Sequence, residues 1–321
     1  MSDKILYLVI PCYNEEEILN YSALILKGKL EFLIEKGKIS NKSKILFVDD
    51  GSYDKTWEII CHLNKQNKIY TGIQLSKNEG HQYALLAGLD IASEKADISI
   101  TIDADLQDDI NAIDEMVDKA NSGFDIVFGV RKSRKADSIF KKMTAELFYK
   151  IMNFLGAETI FNHADFRLMN KKAMECLKQF KETNVFLRGL VLKIGLKSCC
   201  VYYERKKRKA GKTKYTISKM ISFAVNGVTS CSTKLIHFIF LIGVFFIILS
   251  LIMSCYGLIR LINGKTIIGW TSLMVSIWML SGIILISLGI IGEYVGKIYM
   301  EVKKRPRYII SSSLLEDTPK N

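Results

Sequence analysis

Short, unbroken apolar runs recur along the first 130 residues, each followed by an acidic or glycine-bearing loop and then a stretch with helical spacing. Ile5–Ile10 is such a run, closed by Pro11, and Glu15–Leu30 carries the first helical pattern. Lys44–Val48 predicts a second strand feeding Asp49-Asp50-Gly51-Ser52, with a helix over Lys55–Leu63; Ile69–Leu75 and Gly80–Ile91 repeat the pair. Ile98–Ile102 predicts a fourth strand ending at Asp103-Ala104-Asp105, followed by an Ile110–Ala120 helix and an Ile126–Val130 strand. Strand and helix in alternation predict an α/β, Rossmann-like domain, whose ligands sit beyond the carboxyl ends of the strands, where these polar loops fall. Further helices are expected around Phe140–Leu155, Lys171–Phe180 and Val185–Ile194.

The pattern then changes. Leu235–Ile259 is 25 residues without Asp, Glu, Lys or Arg, and Thr266–Gly292 another 27, each long enough to cross a hydrocarbon core of roughly 30 Å. With only Arg260–Lys265 between them, they read as a two-helix hairpin. Basic residues cluster outside it, from Arg205 to Lys234 on one side and from Lys297 to Arg307 on the other, so both ends are expected on the cytoplasmic face. Ile217, Met220, Ile221, Ala224, Val225 and Val228 form one stripe of an amphipathic helix that would lie on that face. The expected organisation is a catalytic domain at 1–215, a juxtamembrane helix at 216–234, a transmembrane hairpin at 235–292 and a cytoplasmic tail at 293–321. The N-terminus shows no signal-peptide pattern, so the bulk of the chain is expected to remain cytoplasmic.

Charge and cysteine content narrow the chemistry. Lys and Arg number 45 against 33 Asp and Glu, 45 − 33 = +12, which favours anionic ligands or surfaces without choosing among them. Seven scattered Cys argue against a disulfide framework, and the four His offer no zinc spacing. Neither G-x-x-x-x-G-K-[ST] nor G-x-G-x-x-G follows the first strand, which argues against a P-loop ATPase or a dinucleotide oxidoreductase. Asp103-x-Asp105 after an apolar strand, with Gln107, Asp108 and Asp109 adjoining, suits a divalent cation shared with ligand phosphates; in isolation the same spacing is also met as solvated surface charge. Oxygen ligands favour Mg²⁺ or Mn²⁺. Asp50 would accept from a base or ribose, Tyr13 would stack on a base, and Cys12 reads as packing. Arg131, Arg134, Arg167 and Arg188 are candidate phosphate contacts, and His81 and His163 are conceivable acid-base groups with an equal claim to structural roles. The Tyr202–Tyr215 stretch, dense in Lys and Arg beside the membrane, reads as a clamp for a lipid phosphate rather than for nucleic acid.

Together these motifs resemble the polyprenyl-phosphate glycosyltransferases of glycosyltransferase family two, the group that includes dolichyl-phosphate mannose synthases and bacterial undecaprenyl-phosphate glucosyltransferases. The resemblance runs through Val9–Glu15, Asp49–Ser52, Leu75–Asn78 with Gly80-His81-Gln82, Asp103–Asp108, Gly129-Val130-Arg131, Ala164–Met169, Asn184–Gly189 and Tyr203–Tyr215 to the apolar tail. It implies a GT-A fold, a nucleotide-sugar donor and an isoprenoid phosphate acceptor at the bacterial inner membrane. Carried over by motif, Pro11, Tyr13, Glu15, Asp50, Lys77, Gln82, Asp103 and Gln107 would bind the donor, with Asp103, Asp105 and Gln107 at the metal. Asp103, Asp105, Asp165, Arg131 and Arg167 would serve catalysis. Arg131, Arg134, Arg188, Lys206, Arg208, Lys212 and Lys214 would hold the acceptor.

An acceptor phosphate already anionic near neutral pH needs no strong base, which predicts single displacement with inversion, and the resemblance makes a homo-oligomer plausible. Glucose from UDP-glucose is the first expectation; GDP-mannose, UDP-galactose, a UDP-N-acetylhexosamine or a UDP-4-amino-arabinose-type donor is the alternative, with an inactive membrane-tethered binding module behind these. Two spans and no Q-x-x-R-W-type signature speak against a processive polymer synthase. One departure is visible: relatives commonly carry prolines after the D-x-D-L-Q-D run, where this chain has Asp109-Ile110.

Overall fold

A computed structural model of the chain describes residues 4–132, 163–182, 186–204 and 269–315, with ten helical positions between 239 and 256. One sheet organises the described residues. Its strands are β1 (Leu6–Cys12), β2 (Lys44–Asp49), β3 (Tyr70–Leu75), β4 (Ile98–Thr101), β5 (Ile126–Arg131), β6 (His163–Asn170), β7 (Ser198–Tyr203) and β8 (Ile310–Ser313), in the order β7-β5-β6-β4-β1-β2-β3-β8. β4, β1, β2 and β3 are parallel, as the strand–helix alternation requires, while β6 runs antiparallel between β4 and β5, and β8 antiparallel to β3.

Helices α1 (Leu19–Glu35), α2 (Thr56–Gln66) and α4 (Ala112–Asn121) pack one face of the sheet through Leu26, Leu30, Ile60 and Met116. Helices α3 (His81–Lys95), α5 (Lys171–Gln179) and α6 (Leu187–Lys193) pack the other through Leu85, Leu89, Met174 and Leu190. Coverage on both faces is why β1 and β2 are apolar at nearly every position rather than at alternate ones.

Three features depart from the sequence expectation. Pro11 does not end the first strand. Its Cα pairs with Val48 of β2, whereas pairing with β4 stops at Val9, so the missing N–H falls where β1 has lost its neighbour on one side. The Ala164–Met169 motif, for which no element was predicted, forms the antiparallel strand β6, placed beside β4 with Thr101 opposite Arg167. The last helix, α7 (Trp270–Lys303), runs past the expected end at Gly292 through Glu293, Lys297 and Glu301; its 34 residues span about 50 Å.

Beyond α7 the chain returns to the catalytic sheet. β8 pairs with β3, Ile309 O accepts from Ser76 N (2.8 Å), Tyr308 Oη donates to Asp90 of α3 (2.6 Å), and the Arg307 guanidinium donates to the Phe180 carbonyl. No element was expected there, because Ile309-Ile310 followed by serines is too short a signal to read without its partner edge.

Among the described residues one helix is long and apolar enough to cross a membrane, with a candidate span at Met279–Lys303, and its side chains are largely uncovered. Ile283, Ile286 and Ile290 face Ile242, Phe245 and Phe246 across an apolar groove. The juxtamembrane helix expected at 216–234 lies outside the described residues, as do Arg134, Lys206, Arg208, Lys212 and Lys214.

Candidate active site

The loops after β1 and β2 hold each other by reciprocal hydrogen bonds. Ser52 Oγ accepts from Asn14 N (3.0 Å) and Thr56 Oγ1 from Glu15 N (2.9 Å), while Asn14 Oδ1 accepts from Tyr53 N (2.9 Å). Asn14 takes a left-handed conformation, φ 52°, which Asn tolerates better than most residues. Tyr13 and Glu15 are thereby presented half-buried at the mouth of the crevice.

Asp49 and Asp50 turn inward. Asp49 accepts from Ser52 Oγ (2.5 Å) and Gln74 Nε2 (3.0 Å). Asp50 accepts from Glu79 N and Gly80 N, both at 2.9 Å, so its carboxylate shapes the loop that carries Lys77. Burial raises the pKa of both aspartates despite these donors. Gly51, φ 63°, lies so close to that loop that a Cβ would stand 2.4 Å from the Lys77 carbonyl carbon. Lys77 is exposed beside Glu79 (3.5 Å), and Gln82 spends its Oε1 accepting from Leu187 N (2.8 Å) at the start of α6.

The loop after β4 carries the acidic run. Leu106 is left-handed, φ 49°, and Ser22 Oγ from α1 donates to the Ala104 carbonyl (2.5 Å) between the two aspartates. Asp105 Oδ1 accepts from Gln107 N (3.2 Å). Asp103 sits deep in the cleft but keeps 39% of its side chain accessible. Its pKa is pushed up to about 6, by burial first and then by Asp108, Asp165 and Asp105, with His81 opposing. A crowded carboxylate of this kind suits a divalent cation, which would relieve the repulsion. Among the described residues no three His, Cys, Asp or Glu side chains converge into a cation cage. An ion held by Asp103, Asp105 and Gln107 would need ligand oxygens to complete its shell, since two carboxylates and an amide are too few donors for an octahedral cation.

Beside Asp103 the β6 strand brings in Asp165. Its carboxylate accepts from Arg167 Nη2 (2.5 Å) and from Arg188 Nε (3.1 Å) and Nη2 (2.8 Å), and His81 Nε2 stands 3.6 Å away. The same His81 nitrogen is 3.7 Å from Asp103, so the first residue of α3 bridges the two carboxylates. Burial alone would raise the Asp165 pKa, but Arg188, His81 and Arg167 hold it well below the usual range. For His81, burial disfavours the cation, yet Asp165 and Asp103 outweigh it and raise the pKa. Arg167 is wholly buried, with Nε and Nη1 lacking a hydrogen-bond partner among the described residues, so it acts on the site through Asp165 rather than at the cleft surface.

Arg131 closes the far side, donating to Asp108 (Nη2, 3.2 Å) and to Tyr203 Oη (Nε, 3.3 Å), while 23% of its side chain still meets solvent. Burial would lower its pKa; Asp108 and Tyr203 outweigh that and raise it. Of the residues singled out from the sequence, Asp165, Arg167 and Arg188 form one ion-paired cluster that His81 links to Asp103, whereas Arg131 pairs with Asp108 and Tyr203. Sequence reasoning did not select Ser22, Asp108 or Tyr203; the last two lie within quoted motifs, whereas nothing local marks Ser22.

Residues 7–178 match the family described as Glycosyl transferase family 2. A Bacillus subtilis protein described as "Uncharacterized glycosyltransferase YkoT" is 50% identical over 316 residues, 98% of this chain and 94% of that protein. The "SfII prophage-derived bactoprenol glucosyl transferase" of Shigella flexneri is 38% identical over 308 residues, 95% of this chain and 97% of that one. Glucosyl-3-phosphoglycerate synthase from Mycobacterium tuberculosis, solved with Mn²⁺, UDP-glucose and phosphoglyceric acid, covers 71% of this chain and 80% of its own at 14% identity and a TM-score of 0.45, a likeness that carries no argument about ligands. Profile match, full-length relatives and an acidic loop set beside an arginine-bound aspartate agree: the chain belongs to glycosyl transferase family 2.

Proposed function

We propose that the protein transfers glucose from UDP-glucose, with inversion, to the phosphate of a polyprenyl lipid at the cytoplasmic face of a bacterial membrane, supplying a lipid-linked sugar for envelope glycans. The observation that carries the reading is the placement of Asp103 next to the Asp165–Arg188 pair at the carboxyl end of the sheet. An acidic surface for a metal–diphosphate there adjoins a basic surface for a second phosphate. Full-length relatives named as bactoprenol glucosyl transferases support both the acceptor and the sugar. The apolar helix α7 and the expected hairpin would keep the crevice near the bilayer, in a multi-pass protein with both ends cytoplasmic. A homo-oligomer fits such spans, and no nucleic acid is involved.

The acceptor's oxygen needs no strong base, because a phosphate monoester ionises a second time near about pH 6. That oxygen attacks the anomeric carbon; the carbon–oxygen bond to the diphosphate breaks, and the nucleoside diphosphate leaves with the electron pair. Asp165, saturated by two arginines and held ionised, is poorly suited to accept a proton and instead aims Arg188 at the acceptor. Arg131, with its exposed edge, meets charge on a phosphate at the opposite wall. A Mg²⁺ or Mn²⁺ bound by Asp103, Asp105 and Gln107 would supply charge neutralisation for the leaving diphosphate. Thin-layer analysis of lipid product from UDP-glucose, UDP-galactose, UDP-N-acetylglucosamine and GDP-mannose tests the assignment. Glucosyl lipid formed from UDP-glucose alone is expected; transfer from another donor only would replace glucose, and no lipid product from any donor would remove the enzyme.

A further inference from the structure

Leu106 holds a backbone conformation that a branched L-residue disfavours, so the Asp103–Asp108 loop depends on tethers from outside itself. One is Ser22. The other lies at Tyr203, the last residue of β7 and the point from which the chain enters the basic segment assigned to the acceptor. Its ring is 3% exposed and meets Phe166 edge-on, centroids 5.3 Å apart at 86°, between Asp165 and Arg167 on β6. Its hydroxyl donates to Asp108 Oδ1 (2.5 Å) and accepts from Arg131 Nε, while Arg131 Nη2 returns to the same Asp108 oxygen. The Tyr203 carbonyl also accepts from Lys132 N (2.8 Å). Asp108, 2% exposed, is enclosed by this cluster.

Three side chains thus close a ring of hydrogen bonds from three different elements, in surroundings where each bond strengthens its neighbours. We infer that Tyr203 is a positioning residue whose hydroxyl locks the Asp103–Asp108 loop and the Arg131 guanidinium to the root of the basic segment, so that the donor and acceptor sides of the site are set by one cluster. The inference rests on the function proposed above. Without the hydroxyl, Arg131 and Asp108 retain one another, but the loop loses its link to β7.

The test uses the full chain in detergent, with UDP and Mn²⁺ as probes in titration calorimetry. Tyr203→Phe keeps the ring against Phe166 and is expected to raise the Mn²⁺ concentration that half-saturates UDP binding by about tenfold, the size of a lost hydrogen bond to a charged group. Asp108→Asn is expected to do the same, and the double variant to go no further than either alone. Ser198→Ala, which removes an exposed hydroxyl at the other end of β7, is the unchanged control. A wild-type Mn²⁺ response in folded Tyr203→Phe, or effects of the two substitutions that simply add, would overturn the inference. A metal-free readout runs beside it: amide hydrogen exchange at Leu106 and Gln107 is expected to quicken in Tyr203→Phe, or in Asp108→Asn if the tyrosine variant does not fold, and unchanged exchange overturns the tether. Wild-type protein that binds no UDP with or without Mn²⁺ would instead sink the proposed function, leaving the exchange comparison to judge Tyr203.

Discussion

Carboxylates line both halves of the crevice, yet on the β1–β3 side Asp50 and Asp54 accept from backbone N–H groups, whereas on the β4–β6 side Asp103, Asp108 and Asp165 meet arginines, a histidine and one another. The first arrangement spends charge on shape. Asp50 fixes the Lys77–Gly80 loop and leaves little of itself for a ligand. The second keeps charge in play: Asp165 is compensated by Arg167 and Arg188, while Asp103 is crowded by like charges and left accessible. Under the proposed function, a nucleotide would meet a surface whose geometry is already set, and the reacting phosphates one whose charges await them.

The sharpest break in that comparison comes from removing the uncompensated charge. Asp103→Asn combined with Asp105→Asn is expected to lower metal-dependent transfer by roughly a thousandfold, the scale of losing a principal charge-stabilising contact. Radiolabelled sugar transfer to polyprenyl phosphate over a Mn²⁺ titration measures it, and full activity in chelator would remove the metal site. Next in size is Asp165→Asn, which leaves Arg167 buried without its counter-charge and is expected to cost about 3 kcal/mol in stability. Lipid-dependent turnover should fall while UDP-glucose binding survives; lost donor binding with intact acceptor use would reverse the assignment.

On the shape-setting side the effects are smaller. Asp50→Asn offers one oxygen to two backbone donors, so about 1–2 kcal/mol of stability and a raised KM for the donor are expected, with kcat little changed. Steady-state kinetics at saturating acceptor separates the two constants.

The smallest effect concerns the returning tail. Tyr308→Phe removes the donor to Asp90 and is expected to cost about 1 kcal/mol by thermal unfolding. Burial raises the Asp90 pKa, with the Tyr308 hydroxyl opposing. A raised folded-state pKa contributes stability at pH below the ordinary carboxylate value and loses it as pH rises through the folded value. In the variant that loss should shift to higher pH, and a shift to lower pH in stability measured across the acid range would contradict the burial argument.

How much of this was legible beforehand differs by element. β1 to β5 and their helices were readable because a strand buried on both faces must be apolar throughout, a property carried by the residues themselves. β6 was not, since the alternation in Ala164-Asp165-Phe166-Arg167 suggests a strand with a solvated charged face, and only the docked neighbours show that Asp165 and Arg167 lie inward as well. β8 was illegible because an edge strand of four residues has no meaning without the edge. Likewise the charged stretch from Glu293 to Lys303 looked like a tail, though it continues α7.

Local chemistry along the chain determined which residue types would gather at the carboxyl ends of the strands, for acidic loops after apolar strands require only the α/β alternation to meet. Tertiary structure alone decided what each carboxylate does there. Asp50 and Asp103 stand in similar motifs after similar strands, but one finds two backbone donors and the other finds three carboxylates and a histidine. The division arises because an ionised side chain's role is set by the charges and hydrogen-bond donors around it; Asp105 and Asp108 are local to Asp103, but Asp165, Arg188 and His81 come from β6, α6 and α3, distant in sequence and adjacent only once the sheet has formed.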